Sequence, residues 1–139
     1  MSNFQAFMAQ NAETVDNIKR VISNRFKENG KPVPFELRAI TNEEDSELRK
    51  SCQKRVKVKK GQTTLEIDQD KYLGKLVAAC VVYPDLKNVE LQKSYGILGD
   101  DSLIKKMLTP GEFTDLLVAV QEINGYDKDM NDLVEEAKN

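Results

Sequence analysis

Histidine and tryptophan are absent from this 139-residue sequence, and cysteine occurs only twice. Without imidazole, the commonest acid–base group and a frequent zinc ligand, Ser–His catalysis, Cys–His catalysis and histidine-based zinc sites are excluded. Cys52 lies in a polar stretch and Cys80 in an apolar one, which indicates free thiols of an intracellular protein rather than a disulfide framework. No spacing groups a nucleophile, a base and an oxyanion donor, so we predict a protein that is not an enzyme and uses no cofactor.

The clusters of acidic residues do not indicate a catalytic or metal-binding site. The acids at 43–45, 68–70 and 100–101 each stand at a predicted helix start, where a negative charge complements the helix dipole. The run 127–132 has aspartates at spacings that faintly resemble a calcium-binding loop, but it lacks the central glycine and the terminal glutamate. We therefore predict no metal site.

Long hydrophobic runs are scarce as well. The longest is the octet from Leu76 to Tyr83, within YLGKLVAACVVYP at 72–84. Apolar residues recur there at the spacing of one helical face, Asp68 favours a helix start and Pro84 a helix end. We predict a central core helix from about Asp68 to Tyr83, and its length of about 24 Å is too short to cross a bilayer. Residues 1–10 lack a basic start and a long apolar run, so we expect no secretory signal.

The composition is that of a water-soluble globular protein with an uneven charge distribution. Hydrophobic residues make up 40% and charged residues 32% of the sequence, and the formal net charge is −2. Residues 1–60 hold 13 basic and 8 acidic residues, whereas residues 61–139 hold 8 basic and 15 acidic ones. A charge separation of this kind can steer a partner or a second copy of the chain.

A β-hairpin is predicted near the N-terminus. Asn29-Gly30 is typical of a type I′ turn, in which both central residues take positive φ, and residues 33–39 alternate between apolar and polar. The predicted pairing places Phe26 opposite Val33, Asn24 opposite Phe35 and Ile22 opposite Leu37. Pro32 and Pro34 lack backbone donors and fit only an edge strand, so we expect a small ribbon supported by helices.

Helix signals dominate the rest of the sequence. Thr41 with Glu44, and Thr109 with Glu112, have the spacing of capping boxes. The predicted further helices span about 42–54, 89–95, 100–108, 110–124 and 127–138. We predict an α+β fold: a predominantly helical single domain over 1–139 with an N-terminal two-stranded antiparallel β-hairpin. The ends, 1–12 and 127–139, are expected to be flexible.

The stretch RKSCQKRVKVKK at 49–60 contains seven basic residues and no acidic residue. The basic residues are Arg49, Lys50, Lys54, Arg55, Lys57, Lys59 and Lys60. One hypothesis is a small nucleic-acid-binding accessory protein that uses this stretch. The stretch has no aromatic residue, no glycine-rich phosphate loop and no zinc finger, and the whole chain is acidic, so we favour a solvated face or loop. A short strand is predicted after it, at about 63–67.

Several separated segments together resemble a known family. These are RVISNRFKENGKPVPFELRAITNEED, LRKSCQKR, YLGKLVAACVVYPDLKNVELQKSYGILG and LIKKMLTPGEFTDLLVAVQEINGYD, which span nearly the whole chain in this order. The sequence is similar to the XkdN-like tail assembly chaperones of phages and prophages. This resemblance covers about residues 5–127.

The resemblance implies a small factor of the bacterial host cytoplasm that is absent from the finished virion. Members of such a family bind the long, aggregation-prone tape measure protein and help to gather tail tube subunits around it, without catalysis. In relatives a programmed frameshift often yields a longer form. A homo-oligomer is compatible with this role, and no contact with a membrane or nucleic acid is expected.

A surface for the partner follows as a hypothesis. A protein that holds amphipathic helices needs a shallow apolar surface with pliable residues such as methionine. We expect six residues to border this surface: Met107, Leu108, Phe113, Leu117, Met130 and Leu133. The alternative is that all six are ordinary core residues.

Overall fold

The computed structural model describes residues 4–126. A short 3-10 turn, Gln5–Phe7, precedes the first strand. The strands are β1 (Ile18–Arg20), β2 (Lys27–Glu28), β3 (Lys31–Pro32), β4 (Phe35–Leu37), β5 (Gln53–Lys59), β6 (Gln62–Ile67) and β7 (Val81–Tyr83). The helices are α1 (Asn42–Ser51), α2 (Gln69–Cys80), α3 (Val89–Ser94), α4 (Asp100–Met107) and α5 (Pro110–Ile123). Helices and small antiparallel sheets together form a mixed α+β fold.

Helix α2 is the central helix, as the apolar run predicts. Asp68 caps it by accepting a hydrogen bond from the Lys71 amide at 3.2 Å, and six of its residues are buried. The predicted end at Tyr83 is wrong, because the helix stops at Cys80 and Val81–Tyr83 continues as β7. Valines suit a strand, and here β7 pairs with β4, so the sheet outcompetes another helical turn.

The strands between residues 18 and 37 belong to two separate small sheets rather than to one continuous ribbon. Asn29 (φ 52°) and Gly30 (φ 78°) connect β2 to β3, and the Val33 amide donates to the Phe26 carbonyl at 2.8 Å. The predicted pairing of Ile22 with Leu37 is wrong, because Leu37 lies opposite Ile18 in the sheet β1-β4-β7.

Strand β4 lies outside the ladder that starts at the turn. The Val33 amide makes the bond to Phe26, so Pro32, which lies opposite Lys27, occupies a position whose amide would point away from β2, and its missing hydrogen does not interrupt that ladder. Strand β4 instead pairs on one side with β1 and on the other with β7, and its Phe35 and Leu37 side chains face the core. Ile22 leaves the ladder and is buried as a core residue.

Residues 53–67 form a second hairpin that the sequence interpretation missed in part. The predicted strand at 63–67 is confirmed as β6, but helix α1 ends at Ser51, and residues 53–59 are strand β5 rather than a loop. Gly61 takes φ 78° in the connecting turn. Val56 lies opposite Thr64 across the pair, and the branched side chains of valine and threonine favour strand over helix.

The core forms where the helices meet the sheet β1-β4-β7. Both predicted capping boxes are confirmed, at the starts of α1 and α5. The largest fully buried side chains come from β4, α2, α4 and α5: Leu37, Val77, Leu103, Ile104, Leu116 and Val120, together with Cys52 and Cys80. Between residues 4 and 126, no helix is both long and apolar enough to cross a membrane.

Candidate functional site

A groove of about 410 Å³ opens between helices α1, α2 and α5. Its floor is apolar and its rim is polar, which is the usual composition of a binding cleft. The lining residues are Ile40, Thr41, Asn42, Asp45, Arg49, Tyr72, Leu73, Leu76, Val120, Gln121, Asn124 and Tyr126. Tyr126 is also the last residue that the structure describes.

One wall of the groove is held by three side chains of α1 and α2. The Tyr72 hydroxyl donates a hydrogen bond to Asp45, and Arg49 Nε donates to the other Asp45 oxygen at 3.0 Å. The Arg49 guanidinium lies 4.4 Å from the centroid of the Tyr72 ring, within the range of a cation–π contact. The three side chains therefore fix the angle between α1 and α2 at the rim of the groove.

The same contacts shift the pKa values of all three groups, and the hydrogen bond to Asp45 raises the pKa of Arg49. Burial tends to raise the pKa of Asp45, but hydrogen bonds from Tyr72 and Arg49 outweigh it and the pKa is lowered. Burial, together with the hydrogen bond to Asp45, raises the pKa of Tyr72 to about 12. Near neutral pH, Asp45 is thus an ionised acceptor and Tyr72 a neutral donor, an arrangement that stabilises the wall rather than one poised for proton transfer.

The opposite wall depends on Asn124, which follows α5. Its Oδ1 accepts a hydrogen bond from the Ile40 amide at 2.9 Å. Its Nδ2 donates to the Val120 carbonyl at 2.8 Å and to Cys80 Sγ at 3.4 Å. One side chain thus joins the end of α5 to the segment before α1 and to the end of α2, so the groove is bounded by fixed elements.

The hypothesised partner surface divides into three parts. Met107 and Leu108 are buried, with 6% and 8% of their surface exposed. Phe113 and Leu117 are half-buried and pack against the core. The other two, Met130 and Leu133, lie outside the described residues.

Phe113 and Leu117 continue the α5 wall of the groove. Leu117 precedes the lining residues Val120 and Gln121 by three and four positions, and Phe113 precedes Leu117 by four. Residues at these separations share one face of a helix. A strip of apolar surface therefore runs from the groove along α5.

The cationic residues of the nucleic-acid hypothesis lie in two environments. Arg49 is held by Asp45, and Lys50 lies 3.7 Å from Glu47, so both belong to the helix surface. The other five extend along the hairpin β5–β6: Lys54, Arg55, Lys57, Lys59 and Lys60. We call this hairpin, residues 53–67, the basic arm.

Sequence reasoning did not find the groove. Asp45 and Tyr72 are 27 positions apart and come from different helices, and each has a simple local explanation, as a helix-start acid and as a core aromatic. Helix α1 has few apolar residues and buries none of them, which is consistent with an open groove beside it but does not locate the groove.

Within residues 4–126, no three acidic or cysteine side chains are grouped closely enough to hold a metal ion. The groove combines an apolar floor with a polar rim. The protein is thus a small mixed α+β protein with an open surface groove.

Comparison with known proteins identifies the family. The model of the phage XkdN-like tail assembly chaperone proteins matches residues 4–138. This chain belongs to that family, and the resemblance read from its separated segments is confirmed.

Two relatives come from Bacillus subtilis strain 168. The chain is 32% identical over 135 residues to protein XkdN of the phage-like element PBSX, and 33% identical over 135 residues to the uncharacterized protein YqbN. Each match covers 96% of this chain and 91% of the relative. A crystal structure of YqbN superposes with a TM-score of 0.77 at 27% identity, covering 91% of this chain and 99% of that one.

Proposed function

We propose that this protein is a non-catalytic tail assembly chaperone that binds the tape measure protein in the cytoplasm of the bacterial host. By holding that long chain in a soluble form it assists the assembly of the tail tube, and it is not retained in the virion. The observation that carries the proposal is the groove with an apolar floor between α1, α2 and α5, in a chain that belongs to the tail assembly chaperone family.

The groove suits the apolar face of an amphipathic helix. Leu73 and Leu76 on one side and Val120 on the other form its floor, and Phe113 and Leu117 extend the apolar strip along α5. A helix that docks this way inserts side chains spaced three or four residues apart into such a strip. The half-exposed rim leaves the contact shallow, so the chaperone can release its client when the tail tube forms.

The polar rim would restrict the register of the client. Arg49 is fixed at the edge of the groove by Asp45 and the Tyr72 ring, with 44% of its side chain exposed. An acidic residue beside the apolar stripe of the client could approach this guanidinium without displacing the existing contacts. The wall that sets the helix angle would thus also select the orientation of the bound chain.

The test is co-expression with the tape measure protein encoded in the same prophage. Gln121→Trp places a bulky ring in the groove at an exposed position, so folding should be preserved. We expect the soluble fraction of the tape measure protein to fall at least about threefold, because the groove is filled. The matched control is Val118→Trp, three positions earlier on α5, at a residue that is 45% exposed and does not line the groove.

A second pair of variants examines the surface beyond the described residues. Changing Met130 and Leu133 to serine should reduce solubilisation further if they border the same surface. Equal solubilisation by Gln121→Trp and Val118→Trp, with both variants folded by circular dichroism, would exclude the groove as the binding site. No co-purification of the tape measure protein with the unmodified chain would refute the proposed function itself.

A further inference from the structure

The basic arm is an exposed two-stranded ribbon with a strong local charge. Along residues 53–67 only Val56 and Ile67 are half-buried, and the other side chains are exposed. The arm carries five basic residues and one acid, Glu66, which gives a net charge of +4. None of the five cations forms an ion pair with any residue between 4 and 126. Within that range, Arg55 and Lys57 also have no acidic residue opposite them on β6.

The two edges of the arm differ in how they are protected. Strand β5 carries four lysine or arginine residues and a bulge between Lys57 and Lys59, features that discourage a further strand from pairing. Strand β6, QTTLEI, has no lysine, no proline and no bulge. In the described part of the chain β6 pairs only with β5. Its outer edge thus presents backbone donors and acceptors in a regular, extended row.

The side chains next to this edge define the chemistry of a third strand. On one face, Arg55 lies opposite Leu65 and Lys57 lies opposite Thr63. Leu65 is 57% exposed, so this face offers an apolar contact flanked by two cations. A strand added beside β6 would lie about 10 Å from β5, a separation that arginine or lysine and glutamate side chains can span together.

We propose that the basic arm binds an extended, acidic segment of a partner protein, which adds to β6 as a third strand. In that segment every second residue is acidic. The acidic side chains lie on the face of the sheet that carries Leu65 and reach past it to Arg55 and Lys57. Main-chain hydrogen bonds supply much of the affinity, and the alternation of acids supplies the specificity. This surface lies on different residues from the groove and does not depend on the client that the groove holds.

Two other occupants fit the arm less well. A second copy that paired β6 with β6 would bring together two arms of net charge +4, which repel each other. A nucleic acid would neutralise the cations, but the arm has no aromatic residue for base stacking, and the phosphate backbone offers nothing to the exposed Leu65. An acidic protein strand would neutralise the cations, contact Leu65 and form hydrogen bonds with the free backbone edge of β6.

The test uses the full chain and a fluorescein-labelled peptide of nine residues in which glutamates alternate with valines and threonines. Two further peptides carry methyl groups on alternate backbone nitrogens, one on the odd and one on the even positions. Successive amides of an extended peptide point to opposite sides. Pairing with the edge of β6 therefore uses the amides of either the odd or the even positions of the peptide, but not both. We expect methylation of one row to weaken binding at least about tenfold, and methylation of the other to change it less than about threefold.

The protein is varied in parallel. Arg55→Glu combined with Lys57→Glu should weaken peptide binding about tenfold or more, and the affinity of the unmodified chain should fall as salt is raised. The matched control is Lys87→Glu with Lys93→Glu, which makes the same change in net charge at exposed positions outside the arm. Amide exchange across β6, measured by NMR, should slow at alternate residues when the peptide is bound.

Each of four results would overturn the proposal. The first is that the unmethylated peptide does not bind, and the second is that both methylated peptides bind equally. The third is that a 20-base-pair DNA duplex binds more tightly than the peptide at the same salt. The fourth is a concentration-dependent dimer in which β6 amides are already protected without peptide, since the edge would then be occupied by a second copy. None of these results bears on whether the tape measure protein co-purifies with the chain, so the proposed function is tested separately.

Discussion

Replacing Tyr72 with phenylalanine removes the hydroxyl that bonds to Asp45 and leaves the ring, which is 6% exposed, in place. A hydrogen bond to a charged group contributes about 1.5–3 kcal/mol. Asp45 is 18% exposed and keeps its bond to Arg49 at 3.0 Å, which favours a value at or below the lower end of this range. We therefore expect the variant to lose about 1–2 kcal/mol of unfolding free energy at pH 7, measured by urea denaturation.

The stability difference between the two proteins should depend on pH if it comes from the charged hydrogen bond, and not if it comes from packing. The folded-state pKa of Asp45 is lowered, so the stability it contributes is present above its ordinary pKa, near 3.8, and is lost as pH falls through the folded value. The difference between the two proteins should consequently narrow below about pH 4. On the alkaline side Tyr72 has a pKa raised from 10.0 to about 12, so its contribution is present below pH 10 and is lost between these values. The phenylalanine variant cannot show that alkaline loss.

Tyr83→Phe is the matched control. Tyr83 is 53% exposed, and its hydroxyl has no hydrogen-bond partner among residues 4–126, so we expect a change below about 0.5 kcal/mol at every pH. A cost below about 0.5 kcal/mol for Tyr72→Phe at pH 7 would refute the reasoning. A difference that does not narrow at any acidic pH at which both proteins remain folded would also do so, because the hydrogen bond would then not depend on an ionised Asp45.

Two further substitutions, the first with a matched control, probe the packing around the groove. Leu116→Ala removes a fully buried side chain of α5 and should cost about 2–5 kcal/mol in urea unfolding, whereas Val118→Ala, on the exposed face of the same helix, should cost less than about 1 kcal/mol. Equal costs would mean that α5 does not bury the face seen in the structure. Asn124→Ala leaves the Ile40 amide without its partner and should cost about 1–3 kcal/mol, and hydrogen exchange should show faster exchange at Ile40 but not at Leu103 in α4. An unchanged exchange rate at Ile40 would show that Asn124 does not join the two elements.

The sequence by itself determined the features that depend on neighbouring residues. The capping boxes at Thr41 and Thr109, the turn at Asn29-Gly30 and the core position of α2 follow from side chains a few positions apart. Such signals act through local backbone hydrogen bonds and helical spacing, so they remain readable without knowledge of the fold. The family was also readable, because several segments preserve their order along the whole chain.

Only the tertiary structure decided how the short elements pair. Val81–Tyr83 reads as the end of a helix, yet it becomes a strand because β4 lies beside it, and Leu37 pairs with Ile18 because β4 lies between β1 and β7. The groove and the basic arm also depend on the tertiary structure. The wall formed by Asp45 and Tyr72 joins two helices, and the open edge of β6 exists because its other neighbour is absent from the described fold. Contacts between distant residues, and edges left without a partner, depend on where whole elements pack, which local spacing does not encode.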